Sequence, residues 1–151
     1  MDRIMFVCHG NICRSPLAEF VMKDLVNKNG LTDSFYISSA ATSSEEIGNP
    51  IYPPIKDIMR RHGIPFGEHC ATKLRADDYE KYDLFILMDS NNLRNIKRIF
   101  PDDPQNKIHL LLEFDGQQRD VLDPWYYGNF EDTFNDIKSG CTALLKQLTE
   151  I

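Results

Sequence analysis

The sequence has no long apolar run. Its opening segment, Ile4 to Cys8, is far too short for the core of a signal peptide, and no stretch is long enough to span a bilayer. A soluble, cytoplasmic protein with no membrane association is expected. Positive charge is also scarce: 17 Lys and Arg stand against 23 Asp and Glu, for a formal net charge of −6. Broad attraction to nucleic acid or anionic lipid is thereby excluded. Short basic clusters at 59–62 (MRRH) and 93–98 (LRNIKR) read as solvated helix faces. Repeats, low-complexity tracts and linker-like segments are missing, so residues 1–151 are expected to form a single domain with a real hydrophobic core. There is no G-x-x-x-x-G-K-[ST] loop. Cys8 and Cys13 have no second ligand pair at recognisable spacing, so no metal is expected. A scattered disulfide framework is absent too. Of four cysteines, Cys8 and Cys13 share one short segment, while Cys70 and Cys141 stand apart. That pattern favours reactive or redox thiols over structural bridges.

What is present is an alternation of apolar runs and helical patterns. Residues 3–8, 35–41, 83–89 and 107–114 read as buried strands. Residues 16–28 read as an amphipathic helix with Leu17, Phe20, Val21 and Leu25 on one side, Ser15 as N-cap, Pro16 in the first position and Gly30 as the stop. Further helices are predicted over 53–63, 90–99 and 129–149, the last with Phe130, Phe134, Ile137, Cys141, Leu144, Leu145 and Leu148 inward. The order βαβαβαβα predicts an α/β fold: an open four-stranded parallel sheet with helices on both faces and a phosphate-binding loop after strand 1. Sites in such folds lie at the carboxyl ends of the strands, often at the switch point. Cys8 ends the first strand.

The segment VCHGNICRSP, residues 7–16, carries the most chemistry. A loop running from a strand end to a helix start aims backbone N–H groups into one concavity, and the helix adds its positive end. Gly10 lets the chain turn there. His9, Gly10, Asn11, Ile12 and Cys13 fill the loop between Cys8 and Arg14, and Ser15 follows. Such a nest suits a tetrahedral dianion: phosphate, sulfate or a similar oxyanion. The Arg14 fork can hold two of its oxygens. Cys8 lies at the focus, where the same field favours thiolate over thiol. The Ser15 hydroxyl is placed to donate to the sulfur. A thiolate in a phosphate cradle is poised to attack phosphorus.

Displacing a phenolate requires a proton donor. Asp123, in VLDPWYYGNF, is the candidate. Pro124 stiffens its loop and biases it to extended backbone. Trp125, Tyr126 and Tyr127 offer an aromatic surface beside it, and the loop follows the fourth strand, within reach of the same sheet edge. Attack by Cys8 with protonation of the leaving group by Asp123 needs no metal or organic cofactor.

Over nearly its whole length the sequence resembles the low-molecular-weight protein tyrosine phosphatases. The likeness rests on VCHGNICRSP, on SSAATS followed by IGNP, on HGIP, on LMDSNNL and on DPWYYGN. It implies Cys8 as nucleophile, Arg14 as phosphate ligand and Asp123 as general acid and then base. It further implies that Asn11, Ser15, Ser39 and His69 brace the loop by hydrogen bonds, and it matches Asp89 to an acidic position. Phosphotyrosine-containing proteins or small aryl phosphates are the implied substrates, and a monomer is expected. Two positions depart from the family. His9 follows the nucleophile where a small or aliphatic residue is usual. Glu45 stands on the cleft wall, with Trp125 and Tyr126 as other wall residues, where an aromatic is common. An acidic wall favours peptides with basic residues. The similar protein arginine phosphatases tend to carry threonine at the position of Ile12, and an apolar side chain there disfavours a guanidinium. Thioredoxin-coupled arsenate reductases need two further cysteines near the third strand, which FILMDSNNLR lacks. A phosphocysteine carrier needs no Asp123, a phosphoprotein-binding module does not need both Cys8 and Asp123, and redox sensing by Cys8 and Cys13 is compatible with catalysis.

Overall fold

A computed structural model describes residues 1–149. Four parallel strands, β1 (Asp2–Cys8), β2 (Phe35–Ala41), β3 (Leu84–Leu87) and β4 (Ile108–Leu110), form one open sheet in the order β2-β1-β3-β4. Central β1 pairs Cys8 with Ala41 on one side and Val7 with Leu87 on the other. Period-2 alternation sends Ile4, Phe6 and Cys8 to one face and Met5 and Val7 to the opposite face, and both sets are buried. Neither face is solvated, which is why the strands read as continuous apolar runs.

Helices α1 (Arg14–Lys28), α2 (Pro53–Arg61) and α5 (Phe130–Thr149) cover the first face. Short α3 (Ser90–Ile96) and a 3₁₀ turn at Ala76–Glu80 cover the second. The chain leaves β1 for β2 on one side and β3 for β4 on the other, so the loops after β1 and β3 flank the switch point of the sheet. Cys8 ends β1 where the first of these loops begins, and Asp89 lies on the second.

Three local expectations are corrected. Helix α1 begins at Arg14, not after Ser15; Cys13 is its N-cap residue and makes no side-chain cap bond. The Ser15 hydroxyl is committed elsewhere, to the Cys8 sulfur. Nor is α1 one-sided, since Arg14 through Met22 are all buried between the sheet and α5. The run 107–114 is a strand only over Ile108–Leu110 and then coils into a 3₁₀ turn, Leu111–Asp115. Leu111 and Leu112 are swallowed under α5 there, and a buried apolar run looks the same in sequence whether it is extended or coiled. The contact is close: a Cβ on Gly140 of α5 would stand 2.5 Å from Leu111 Cγ.

Candidate active site

The loop from His9 to Cys13 is held from outside by its carbonyls. Thr42 N–H donates to Cys8 O (3.0 Å), Ser43 N–H to His9 O (3.1 Å) and Tyr52 N–H to Ile12 O (2.9 Å). His69 Nε2 donates to Asn11 O at 3.0 Å. Because the partner is a carbonyl, Nε2 carries the proton in that tautomer. Among the described residues the amides of Gly10, Ile12, Cys13 and Arg14 meet no protein acceptor. A ring of outward-engaged carbonyls leaves inward amides, which is an anion-binding nest.

Asn11 is the hinge of this loop. Its φ of +61° is a left-handed conformation that asparagine tolerates better than bulkier residues. Each of its polar groups is used. The N–H donates to Cys8 Sγ (3.3 Å), and Oδ1 accepts from Thr72 N (3.1 Å). Nδ2 donates both to Ser15 Oγ (2.7 Å) and to Ser39 Oγ (3.0 Å). Ser15 Oγ lies 3.0 Å from Cys8 Sγ, and Cys8 is 3% exposed. Sulfur, hydroxyl and amide therefore form one buried network.

Arg14 is buried and reaches across the switch point. Its Nη1 donates to Asp89 Oδ2 (2.8 Å) and to Val121 O (2.7 Å), and its Nη2 lies 3.5 Å from Asp123 Oδ2. Burial works against its charge, but Cys8, Asp89 and Asp123 outweigh it and hold the guanidinium above its ordinary pKa. Asp89 has two tasks: it also caps α3, accepting from Asn92 N at 2.7 Å. Asp123 likewise caps a short helix, α4 (Pro124–Tyr127), within the segment expected to be a loop. Its Oδ1 accepts from Trp125 N at 3.0 Å, leaving Oδ2 toward Arg14.

A cleft of about 210 Å³ brings these groups together, lined by the loop, Arg14, Asp123, Glu45, Trp125 and Tyr126. Trp125 is steadied by Tyr52, with ring centroids 4.6 Å apart. Glu45 Oε2 accepts from His9 Nε2 at 2.8 Å, so the two departures from the family pattern touch each other across the mouth. Ser39 and His69 stand behind the loop rather than in the cleft. Cys13 lines the cleft, and burial first, then the charges of Cys8 and Asp123, push its thiol well above the ordinary range. Sequence reading missed two residues. Glu46 adds a second carboxylate to the wall, its Cγ 3.2 Å from where a Gly10 Cβ would be. Glu19, one helical turn after Ser15, accepts from Ser39 Oγ at 2.6 Å. The i, i+4 spacing with Ser15 was the available signal.

A family model described as low molecular weight phosphotyrosine protein phosphatase matches residues 3–151. A low molecular weight protein-tyrosine-phosphatase of Bacillus subtilis (strain 168), YfkJ, is 37% identical over 98% of this chain and 96% of its own length. Its crystal structure superposes with a TM-score of 0.94 over 99% of this chain and 96% of that one. The low molecular weight phosphotyrosine protein phosphatase of Homo sapiens is 38% identical over 95% of this chain and 94% of its own. A protein tyrosine phosphatase of Entamoeba histolytica, crystallised with Hepes in the active site, gives a TM-score of 0.91 at 27% identity, covering 99% and 98%.

Proposed function

The chain belongs to the low molecular weight phosphotyrosine protein phosphatase family, and we propose that it hydrolyses protein phosphotyrosine and small aryl phosphates through a phosphocysteine on Cys8. The observation that carries this reading is the sulfur of Cys8, with Ser15 Oγ at 3.0 Å and Asn11 N–H at 3.3 Å, in one cleft with Arg14 and Asp123. The loop amides and Arg14 take the equatorial phosphate oxygens. Cys8 Sγ attacks phosphorus in line, the S–P bond forms and the P–O bond to the phenol breaks. Asp123 gives its proton to the departing oxygen. Water then attacks phosphorus, Asp123 as carboxylate takes its proton, and the S–P bond breaks with the electron pair returning to sulfur. Ser15 and the Asn11 N–H stabilise that returning charge.

Ile12, Trp125 and Tyr126 give the cleft apolar faces that suit an aryl ring. Hydrolysis of phosphotyrosine, phosphoserine and phosphoarginine under one set of conditions tests the reading. Phosphotyrosine is expected to be turned over fastest. A faster rate on phosphoarginine overturns the assignment.

A further inference from the structure

The hydrogen bonds around Cys8 form one connected chain, and its far end is a carboxylate that no step of the reaction uses. From the sulfur outward it runs Cys8 Sγ, Ser15 Oγ (3.0 Å), Asn11 Nδ2 (2.7 Å), Ser39 Oγ (3.0 Å) and Glu19 Oε1 (2.6 Å). Lys23 Nζ closes it at 2.6 Å from Glu19 Oε2. Glu19 is 7% exposed. A buried carboxylate is costly to keep unless it is paired and hydrogen-bonded, and here Lys23 pairs with one oxygen while the Ser39 hydroxyl donates to the other.

Proton directions along this chain follow from its two ends. A carboxylate paired with Lys23 only accepts, so the Ser39 hydroxyl donates to Glu19 and keeps its oxygen for Asn11. The Asn11 amide is pinned the same way round by Thr72 N–H on its Oδ1 at 3.1 Å, so its NH2 end donates to both serines. The Ser15 oxygen is thus already an acceptor, and its proton is left for the Cys8 sulfur. We infer that Glu19 is a positioning residue for the nucleophile: as terminal acceptor it takes the Ser39 proton, which leaves the Ser39 oxygen to hold the Asn11 amide, and through it Ser15, where Ser15 donates to the thiolate. The inference rests on the reading of Cys8 as nucleophile given above.

Glu19→Gln separates this role from simple electrostatics, because the two predict opposite signs. Removal of a negative charge favours a thiolate elsewhere. Loss of the acceptor does the reverse. The Lys23 ammonium competes for the single remaining oxygen more strongly than a neutral hydroxyl does, so the glutamine presents its oxygen to Lys23 and its NH2 to Ser39. The Ser39 oxygen then accepts from two amides while its own proton is left without an acceptor in a buried site, and the strain loosens the Asn11 hold on Ser15.

The measurement is the rate of Cys8 alkylation by iodoacetamide against pH, followed by peptide mapping. The charged and titratable groups that share the cleft with the sulfur (Arg14, Asp123, Cys13, His9, Glu45, Glu46 and Tyr126) are unchanged in every variant. Glu19→Gln is expected to displace the profile to higher pH and to slow alkylation near pH 6 by about tenfold, the scale of one hydrogen bond to a charged group. In a Ser15→Ala background the same substitution is expected to do nothing further. Lys23→Met added to Glu19→Gln frees the glutamine to turn its oxygen to Ser39 and is expected to restore the profile. Glu19→Ala removes the acceptor without adding a donor; it is expected to shift the profile the same way and serves where the glutamine variant does not fold. A profile that moves to lower pH or stays put, or an equal loss with and without Ser15, overturns the inference. Alkylation needs no phosphate ester. A chain that fails to hydrolyse phosphotyrosine yet shows these shifts loses the proposed function and keeps the role of Glu19.

Discussion

Arg14 and Asp89 are joined by a 2.8 Å bond between Nη1 and Oδ2, linking the loop after β1 to the loop after β3. The Arg14 side chain is almost fully buried, and Asp89 is largely so. Breaking a buried pair costs about 3–5 kcal/mol. Arg14 keeps Val121 O and Asp123, so Asp89→Asn, which retains the α3 cap, is expected to lose a smaller ~1–3 kcal/mol in denaturant titration. The less compensated guanidinium then gains more from a dianion. Added phosphate is therefore expected to raise the melting temperature of the variant more than that of the parent. An equal rise in both places Asp89 outside the charge balance of the site.

Cys8→Ser is expected to abolish turnover while the fold and oxyanion binding survive, because the nest is built from amides and Arg14 rather than from the sulfur. Calorimetry with phosphate and an assay free of contaminating phosphatase check this. Measurable turnover removes Cys8 as nucleophile.

Asp123→Asn keeps the acceptor that caps α4 and removes the transferable proton. Phenyl phosphate hydrolysis is expected to fall by ~10²–10⁴-fold, and hydrolysis of an ester with an acidic leaving group far less. Equal losses on both substrates mean that Asp123 only shapes the loop.

Mild peroxide is expected to inactivate reversibly, with Cys8 oxidised to sulfenic acid and Cys13 trapping it as a disulfide. Burial raises the Cys13 thiol well above its usual value, so the attacking thiolate is rare at neutral pH. Below that raised value its population grows about tenfold per pH unit, and the rate of linkage is expected to climb through pH 7–9 without a plateau. A pH-independent rate, or no Cys8–Cys13 peptide on mapping, identifies Cys13 as a packing residue.

Glu45 holds His9 at the mouth of the cleft, and both are exposed. Glu45→Gln is expected to lower the ratio of specificity constants for basic over acidic phosphotyrosine peptides by a few-fold at most, ~0.2–1 kcal/mol. The effect is expected to fade at 1 M salt, where the Debye length is ~3 Å. An unchanged ratio at low salt removes Glu45 from recognition.

The sheet, its parallel order and the placement of the loop after β1 were legible because apolar strands alternate with proline-started, glycine-stopped helices. Cys8, Arg14 and Ser15 were legible because they share one short segment. Glu19 was hidden because its partner Ser39 lies on another element, and a glutamate on a helix reads as solvent-facing unless the helix is known to be buried all round. The early end of β4 was hidden for a different reason. Leu111 turns in against Gly140, which is distant in sequence and leaves room for it, and no local pattern records that contact.

The position of β1 in the middle of the sheet has a consequence in time. Synthesis is vectorial, and β1 is made first, yet its two edges are satisfied by strands made well after it. The nascent chain acquires the thiol, the guanidinium and Asp89 before residues 121–123 exist. Until those emerge, Arg14 lacks the Val121 carbonyl and Asp123 beside it. A chain still short of residue 121 therefore carries the Cys8 thiol and the Arg14 guanidinium without the Val121 carbonyl and the Asp123 carboxyl that meet them in the finished fold.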